Sequence, residues 1–211
     1  MAALYRDEGK YELAEPLLTK ALGVRQRVLG PEHPDALISM NNLGLLYAYQ
    51  GRYMLAEPLL TQALEVRQRI LGQEHPDTLL SMNNLALLYV YERKYETAEP
   101  IYLRVLDLQR RALAADHPRR LASMNDLAAL YIKARKYVSA EALLREALNR
   151  YDKSSTNTWV RYNCQSLLGA SLAGQKKYVD AESLLLSGEN DYSMGTPARS
   201  KLRGRVDPSI L

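Results

Sequence analysis

Apolar side chains between Pro34 and Gln50 fall at Leu37, Met40, Leu43, Leu46 and Tyr47, a spacing close to the 3.6-residue period of a helix with one buried stripe. The spacing predicts a helix over 34–50. Pro34 and Asp35 suit its first turn, where a missing N–H costs nothing and a carboxylate meets the helix dipole. Gly51 breaks it. The next segment, 53–71, carries Leu59, Leu60, Ala63, Leu64, Ile70 and Leu71 and stops at Gly72, which predicts a second helix. Pro58 lies early in it and is expected to loosen or kink the first turns rather than end the helix. Neither helix can bury its stripe alone.

The same pattern returns every 42 residues. Tyr5, Tyr47, Tyr89 and Tyr131 keep this step, as do Tyr11, Tyr53, Tyr95 and Tyr137; Ala14, Ala56, Ala98 and Ala140; and Glu15, Glu57, Glu99 and Glu141. His33-Pro34, His75-Pro76 and His117-Pro118 mark the links. A further copy arrives one residue early, with Tyr178, Ala181 and Glu182. Segments 11–52 and 53–94 share about 30 of 42 positions. Self-similarity at a fixed period predicts a solenoid, in which stacking on neighbours buries the stripes.

The order L-(G/A)-x-x-Y, G-x-Y-x-x-A, A-L resembles the tetratricopeptide repeat, and is carried by Leu43-Gly44-Leu45-Leu46-Tyr47, Gly51-Arg52-Tyr53, Ala56 and Ala63-Leu64. Eight residues beyond the usual 34 lengthen the second helix. With SMNNLALLY at 81–89 and AEPL at 56–59, the variant is similar to the kinesin-light-chain type. Segment 161–188 resembles the closing repeat of bacterial arrays, which often trail a serine/threonine kinase or another signalling domain. The resemblance implies an all-α, right-handed superhelix of about five helix-turn-helix repeats over 1–187, the first incomplete. Their units lie near 1–33, 34–75, 76–117, 118–156 and 157–187. Residues 188–211 form a non-repeat tail, expected to be disordered, native or a scar. The array reads as cut at both ends.

In such an array the first helices of successive repeats line a concave groove. The resemblance thus implies that Ile38, Asn41, Asn42, Leu45, Ala48 and Tyr49 are exposed there. Their equivalents are Leu80, Asn83, Asn84, Leu87, Val90 and Tyr91, then Ala122, Asn125, Asp126, Ala129, Ile132 and Lys133. Asn both donates and accepts, so a ladder of Asn41, Asn42, Asn83, Asn84 and Asn125, continued by Asp126, suits the backbone of an extended peptide. Tyr49 and Tyr91 add flat amphipathic contacts. The competing reading gives one Asn of each pair to the neighbouring helix. Lys133, with Arg6 opposed by Asp7, makes the groove weakly basic.

Composition narrows the function. The chain has 211 residues, 28 Lys+Arg against 24 Asp+Glu, 15 Tyr, one Trp, one Cys and no Phe. Near-balanced charge argues against a nucleic-acid ligand. No apolar run is long enough to span a membrane, and Arg6 and Asp7 interrupt the segment a signal peptide would need. A cytoplasmic location is expected. Cys164 alone excludes an internal disulfide, and with no partner constellation it reads as a buried thiol. One His per link puts His33, His75 and His117 about 10 Å or more apart, while a metal needs ligands about 2 Å from one ion. They are expected to shape the turn before Pro and to bond backbone at the helix start. Arg25 and Arg67, replaced by Gln109 in the third copy, read either as a basic floor or as packed stems whose heads pair with a link Glu or Asp. Trp159 reads as packing. Gly169, Ser171 and Gly174 fall inside a helix, and no nucleotide, zinc-protease or hydrolase motif occurs. The string Arg199, Lys201, Arg203, Arg205 reads as a solvated tail.

The expectation is therefore a non-enzymatic protein-interaction module, without metal or cofactor, holding an extended peptide or partner segment as a scaffold or signalling accessory. Two alternatives stand beside it: a spacer that self-associates weakly through the incomplete first repeat, and a fragment of a larger signalling protein.

Overall fold

The computed structural model describes residues 10–151 and 158–184. Among the described residues the regular structure is all helical: α1 (Tyr11–Leu29), α2 (Pro34–Tyr49), α3 (Tyr53–Leu71), α4 (Pro76–Tyr91), α5 (Tyr95–Ala112), α6 (Pro118–Lys133), α7 (Tyr137–Tyr151) and α8 (Thr158–Gly174). A further helical stretch occupies 178–184. The helices alternate as the period requires, with first helices α2, α4, α6 and α8 and second helices α1, α3, α5 and α7. They form two compact units, Met1–Val105 and Leu106–Leu211, and α5 contributes to both.

Histidine starts three of the first helices. His33, His75 and His117 are extended N-caps, each followed by Pro at the first helical position. Each Nδ1 accepts a hydrogen bond of 3.2 Å from a backbone N–H, of Asp35, Asp77 and Arg119 respectively. The imidazole thus takes the part usually played by a Ser or Asp oxygen. At the other end all four first helices close in a Schellman motif. Arg52 N–H donates to Tyr47 O, Lys94 to Tyr89 O and Lys136 to Tyr131 O, each at 2.8 Å, and Lys177 donates to Leu172 O at 2.9 Å. The preceding residue must be left-handed, and Gly51 supplies this freely (φ 73°), while Arg93, Arg135 and Lys176 adopt it despite a Cβ. The three motifs that contain Tyr also place the cation over its ring: Arg52 over Tyr47 (4.4 Å), Lys94 over Tyr89 (5.8 Å) and Lys136 over Tyr131 (5.7 Å). The recurrent Tyr of the first helix is therefore a capping residue as well as a packing one.

In the first unit α2 packs against α1, α3 and α4. One core cluster joins Ala14, Leu18 and Leu22 of α1 to Leu37, Met40, Leu43 and Leu46 of α2. A second joins Leu45 and Ala48 to Ala56 and Leu60 of α3 and Leu85 and Leu88 of α4. Gly44 permits the α2–α3 approach, since a Cβ there would lie 2.8 Å from Leu60 Cγ. In the second unit α6, α7 and α8 pack together around buried Leu121, Met124, Leu127, Leu130, Leu144, Leu168 and Leu172. Pro58 lies within α3, which continues through it.

Polar bonds tie each second helix to the next first helix. Arg25 Nη1 donates to Asp35 O (3.2 Å) and Ser39 Oγ (2.7 Å). Arg67 Nη1 repeats this with Asp77 O (3.0 Å) and Ser81 Oγ (2.8 Å), and in the third copy Gln109 Nε2 donates to Ser123 Oγ (3.0 Å). The arginines are packed stems, with one correction: their heads bond a backbone carbonyl and a serine hydroxyl, not a link carboxylate. Burial pulls Arg67 below the usual guanidinium range, with Asp77 opposing. In the fourth copy the pair becomes Tyr151 and Cys164, both buried. Burial pushes both upward, the thiol to about 12. Cys164 is thus an inert packed thiol, its Sγ 3.5 Å from Leu144 O.

Candidate functional site

Residues 38, 42, 45 and 49 share one face of α2, and 80, 84, 87 and 91 the same face of α4, by helical spacing. The first unit presents part of this face to solvent. Ile38 is 43% exposed, Leu80 52% and Tyr91 38%, and Asn42, Asn84, Tyr49 and Leu87 are half-buried. The tyrosines run on into a ladder. Tyr49 meets Tyr91 edge-on at 5.4 Å and stacks on Tyr11 of α1 at 6.4 Å, and Tyr53 Oη donates to Tyr91 O at 3.0 Å. Tyr11 was not among the residues marked by the repeat as groove-lining, because its step aligns it with Tyr53. Nothing in the spacing links it to Tyr49.

The amide pairs divide their work. Asn41 is 4% exposed; its Nδ2 donates to Leu37 O (3.2 Å) and Ser81 Oγ (3.1 Å), and its Oδ1 accepts from Asn84 Nδ2 (3.2 Å). Ser81 therefore accepts from Asn41 as well as Arg67, a chain that crosses from α2 to α4. Asn125 is 2% exposed and donates to Val160 O of α8 (3.1 Å). The expectation that Asn41, Leu45, Ala48, Val90, Asn125 and Ile132 are exposed is corrected, for all six are buried. Neighbouring residues on a helix point about 100° apart, and the helix-to-helix contact takes Asn41 and Asn125 while leaving Asn42 and Asp126 nearer solvent. Asn83 is half-buried.

In the second unit the equivalent face changes character. Asp126 and Lys133, both exposed, hold the places of Asn84 and Tyr91, while Ala122 and Ala129 are half-buried. The Asp126 side chain touches solvent, which limits the effect, but the protein around it pushes its carboxyl upward. The serines 39, 81 and 123, which organise these networks, recur at 42 residues; that recurrence was the signal for them.

Carboxylates of the second helices form a second set of repeated contacts. Arg52 Nη1 donates to Glu15 Oε2 at 2.7 Å, and Tyr89 Oη donates to Glu57 Oε1 at 2.8 Å. Burial first, then Glu57, pushes the Tyr89 phenol up to about 12, so it remains a donor. Glu141 accepts from Gln175 (2.7 Å) and Lys177 (2.9 Å) at one oxygen and from Arg145 at the other. Lys177 first, then Gln175 and Arg145, draws its carboxyl down to about 2, against a smaller opposing effect of burial. These contacts bind helices to each other and present no aligned nucleophile and base.

Among the described residues no three His, Cys, Asp or Glu side chains gather where a metal could be held, and no helix is long and apolar enough to cross a membrane. Arg6, Asp7, the tail 188–211 with Arg199, Lys201, Arg203 and Arg205, and the side chain of Trp159 lie outside the described residues.

Comparison with known proteins places this architecture. A kinesin light chain-like protein of Podosopora anserina, built of nearly identical TPR-like repeats, is 26% identical over 92% of this chain and 94% of its own, with a TM-score of 0.71. A point variant of it aligns at 27% identity and 0.72. BtubC (BKLC) of P. vanneervenii shares the fold at 24% identity, covering 94% of this chain and 82% of its own, with a TM-score of 0.71. No curated protein sequence matches the chain. The tetratricopeptide repeat model matches residues 1–69, 39–96 and 77–153. The chain belongs to the tetratricopeptide repeat family, an all-α solenoid that serves in general as a protein-interaction scaffold and is typically non-catalytic.

Proposed function

We propose that the chain binds an extended peptide segment of a partner protein along the exposed face of its first helices. The observation that carries this reading is in the first unit. Ile38, Leu80 and Tyr91 stay open to solvent on helices whose other faces supply the core, and Asn42 and Asn84 stand between them on the same stripe. Apolar contacts flanked by amides suit a peptide whose backbone needs hydrogen bonds and whose side chains need dry surface. Asn41 and Asn125 act in this reading as supports, and Asn83 and Leu87 as flanking contacts. Asp126 and Lys133 give the second unit a charged preference of its own.

A peptide-display screen against the whole chain tests the proposal. Substituting Ile38→Asp and Leu80→Asp at these exposed positions leaves the core intact and is expected to abolish the selected binders. The same binders recovered on both proteins would contradict it.

A second reading, weak self-association through α1, is favoured by the exposure of Leu13, Leu17, Val24 and Val28. It predicts a mass that rises with concentration in light scattering; a constant monomer mass removes it.

A further inference from the structure

The link between α5 and α6 breaks the repeat. The two earlier links read GPEHPDA (30–36) and GQEHPDT (72–78), whereas this one reads AADHPRR (114–120). Arg119 replaces Asp35 and Asp77, and Arg120 replaces Ala36 and Thr78. Arg110, in the last turn of α5, stands where the earlier copies have Gln26 and Gln68. Arg150, in the last turn of α7, stands where they have Val24, Val66 and Leu108. Packing needs none of these changes, since the other copies fold without them.

The second unit brings these arginines to one corner. Arg119 and Arg120 open α6, Arg150 closes α7, which packs on α6, and Arg110 lies just before the link. Arg119 occupies the first turn of a helix, where the dipole favours a carboxylate and disfavours a cation. Arg120 is half-buried, and its Nε, like that of Arg150, is buried with no hydrogen bond among the described residues. Burial, then the charges of Arg150 and Arg110, pulls the Arg120 guanidinium below its ordinary range, with Glu146 opposing. Glu146 bonds Arg150 at 2.7 Å, Arg111 bonds Asp107 at 2.9 Å, and Asp116 in the link is exposed. Arg110, Arg120 and Arg150 thus act on one another around one closely paired carboxylate, Glu146, and Arg119 stands beside them in the first turn of α6.

We infer that this corner is an oxyanion site, with Arg110, Arg119, Arg120 and Arg150 taking a phosphate-type dianion. Guanidinium forks match the oxygens of such an anion. A single carboxylate would leave most of the excess charge uncompensated, whereas a dianion with three acceptor oxygens engages several forks at once. The dianion is either free phosphate or a phosphorylated residue of a partner protein.

The test is a titration of the full chain with sodium phosphate against sodium chloride at matched ionic strength, read by thermal unfolding and calorimetry. Phosphate is expected to raise the unfolding midpoint beyond chloride. The variant R119D/R120T restores the residues of the preceding copy and should weaken phosphate binding about tenfold or more, while R27D, a charge reversal on α1, should leave it unchanged. R110Q, again the residue of earlier copies, provides an independent lesion should the double variant fail to fold, and it too should weaken binding. A phosphoserine peptide that binds tighter than free phosphate makes a partner protein the source; one that binds no tighter makes the free anion the ligand. Equal effects of phosphate and chloride, or unchanged binding in R119D/R120T or in R110Q, would overturn the site.

Discussion

The histidine caps show how one residue type can be read two ways. Three histidines at fixed spacing invite a metal, but each Nδ1 is used by the backbone of its own helix start. His75→Ala should therefore cost about 1 kcal/mol of stability in urea unfolding, and His75→Asp, an oxygen cap facing the helix dipole, should cost less. Equal losses would argue against the cap. Glu141 is the matching case for a carboxylate. Its folded pKa, about 2, lies below its ordinary 4.5, so the stabilisation is fully present above pH 4.5. It is lost as pH falls from there toward 2. Glu141→Gln should remove this component, so wild type should lose about 1 kcal/mol more than the variant between pH 6 and 2. Identical acid losses would contradict the contact with Lys177, Gln175 and Arg145.

At the scale of elements, the helix-to-helix bonds decide which side chains remain exposed. Arg67 joins α3 to α4 through Asp77 O and Ser81 Oγ, and Arg67→Ala would leave both acceptors without this donor in a buried setting. A loss of about 2–3 kcal/mol follows in chemical denaturation. Arg67→Gln should cost clearly less, because Gln109 makes the corresponding bond to Ser123; an equal loss would count against that equivalence. Helix limits were legible because Pro, Gly and apolar spacing agree on them: 34–50 and 53–71 became Pro34–Tyr49 and Tyr53–Leu71. The left-handed turn residue was legible only at Gly51, since Arg93, Arg135 and Lys176 hide the same requirement. The division within each amide pair was not legible either. Period shows that Asn41 and Asn42 recur, but their roles depend on how closely α4 approaches α2, a tertiary distance absent from the sequence.

For the whole molecule, repetition made the fold readable, because each copy states the same pattern again and its neighbours bury what it exposes. Function was less readable: the proposed peptide face depends on which repeated side chains stay exposed, and the proposed anion site on departures from the repeat at one link. Asn41 and Asn125 build the stack, and Asn42 and Asn84 are the amides proposed to meet the ligand. The most direct test is the affinity of one display-selected peptide for wild type and for the Asn42→Ala, Asn84→Ala double variant, measured by calorimetry. Loss of these two amides should weaken binding about tenfold or more, with a smaller fall in the unfolding midpoint from the lost Asn84–Asn41 bond; unchanged affinity would contradict the proposed role.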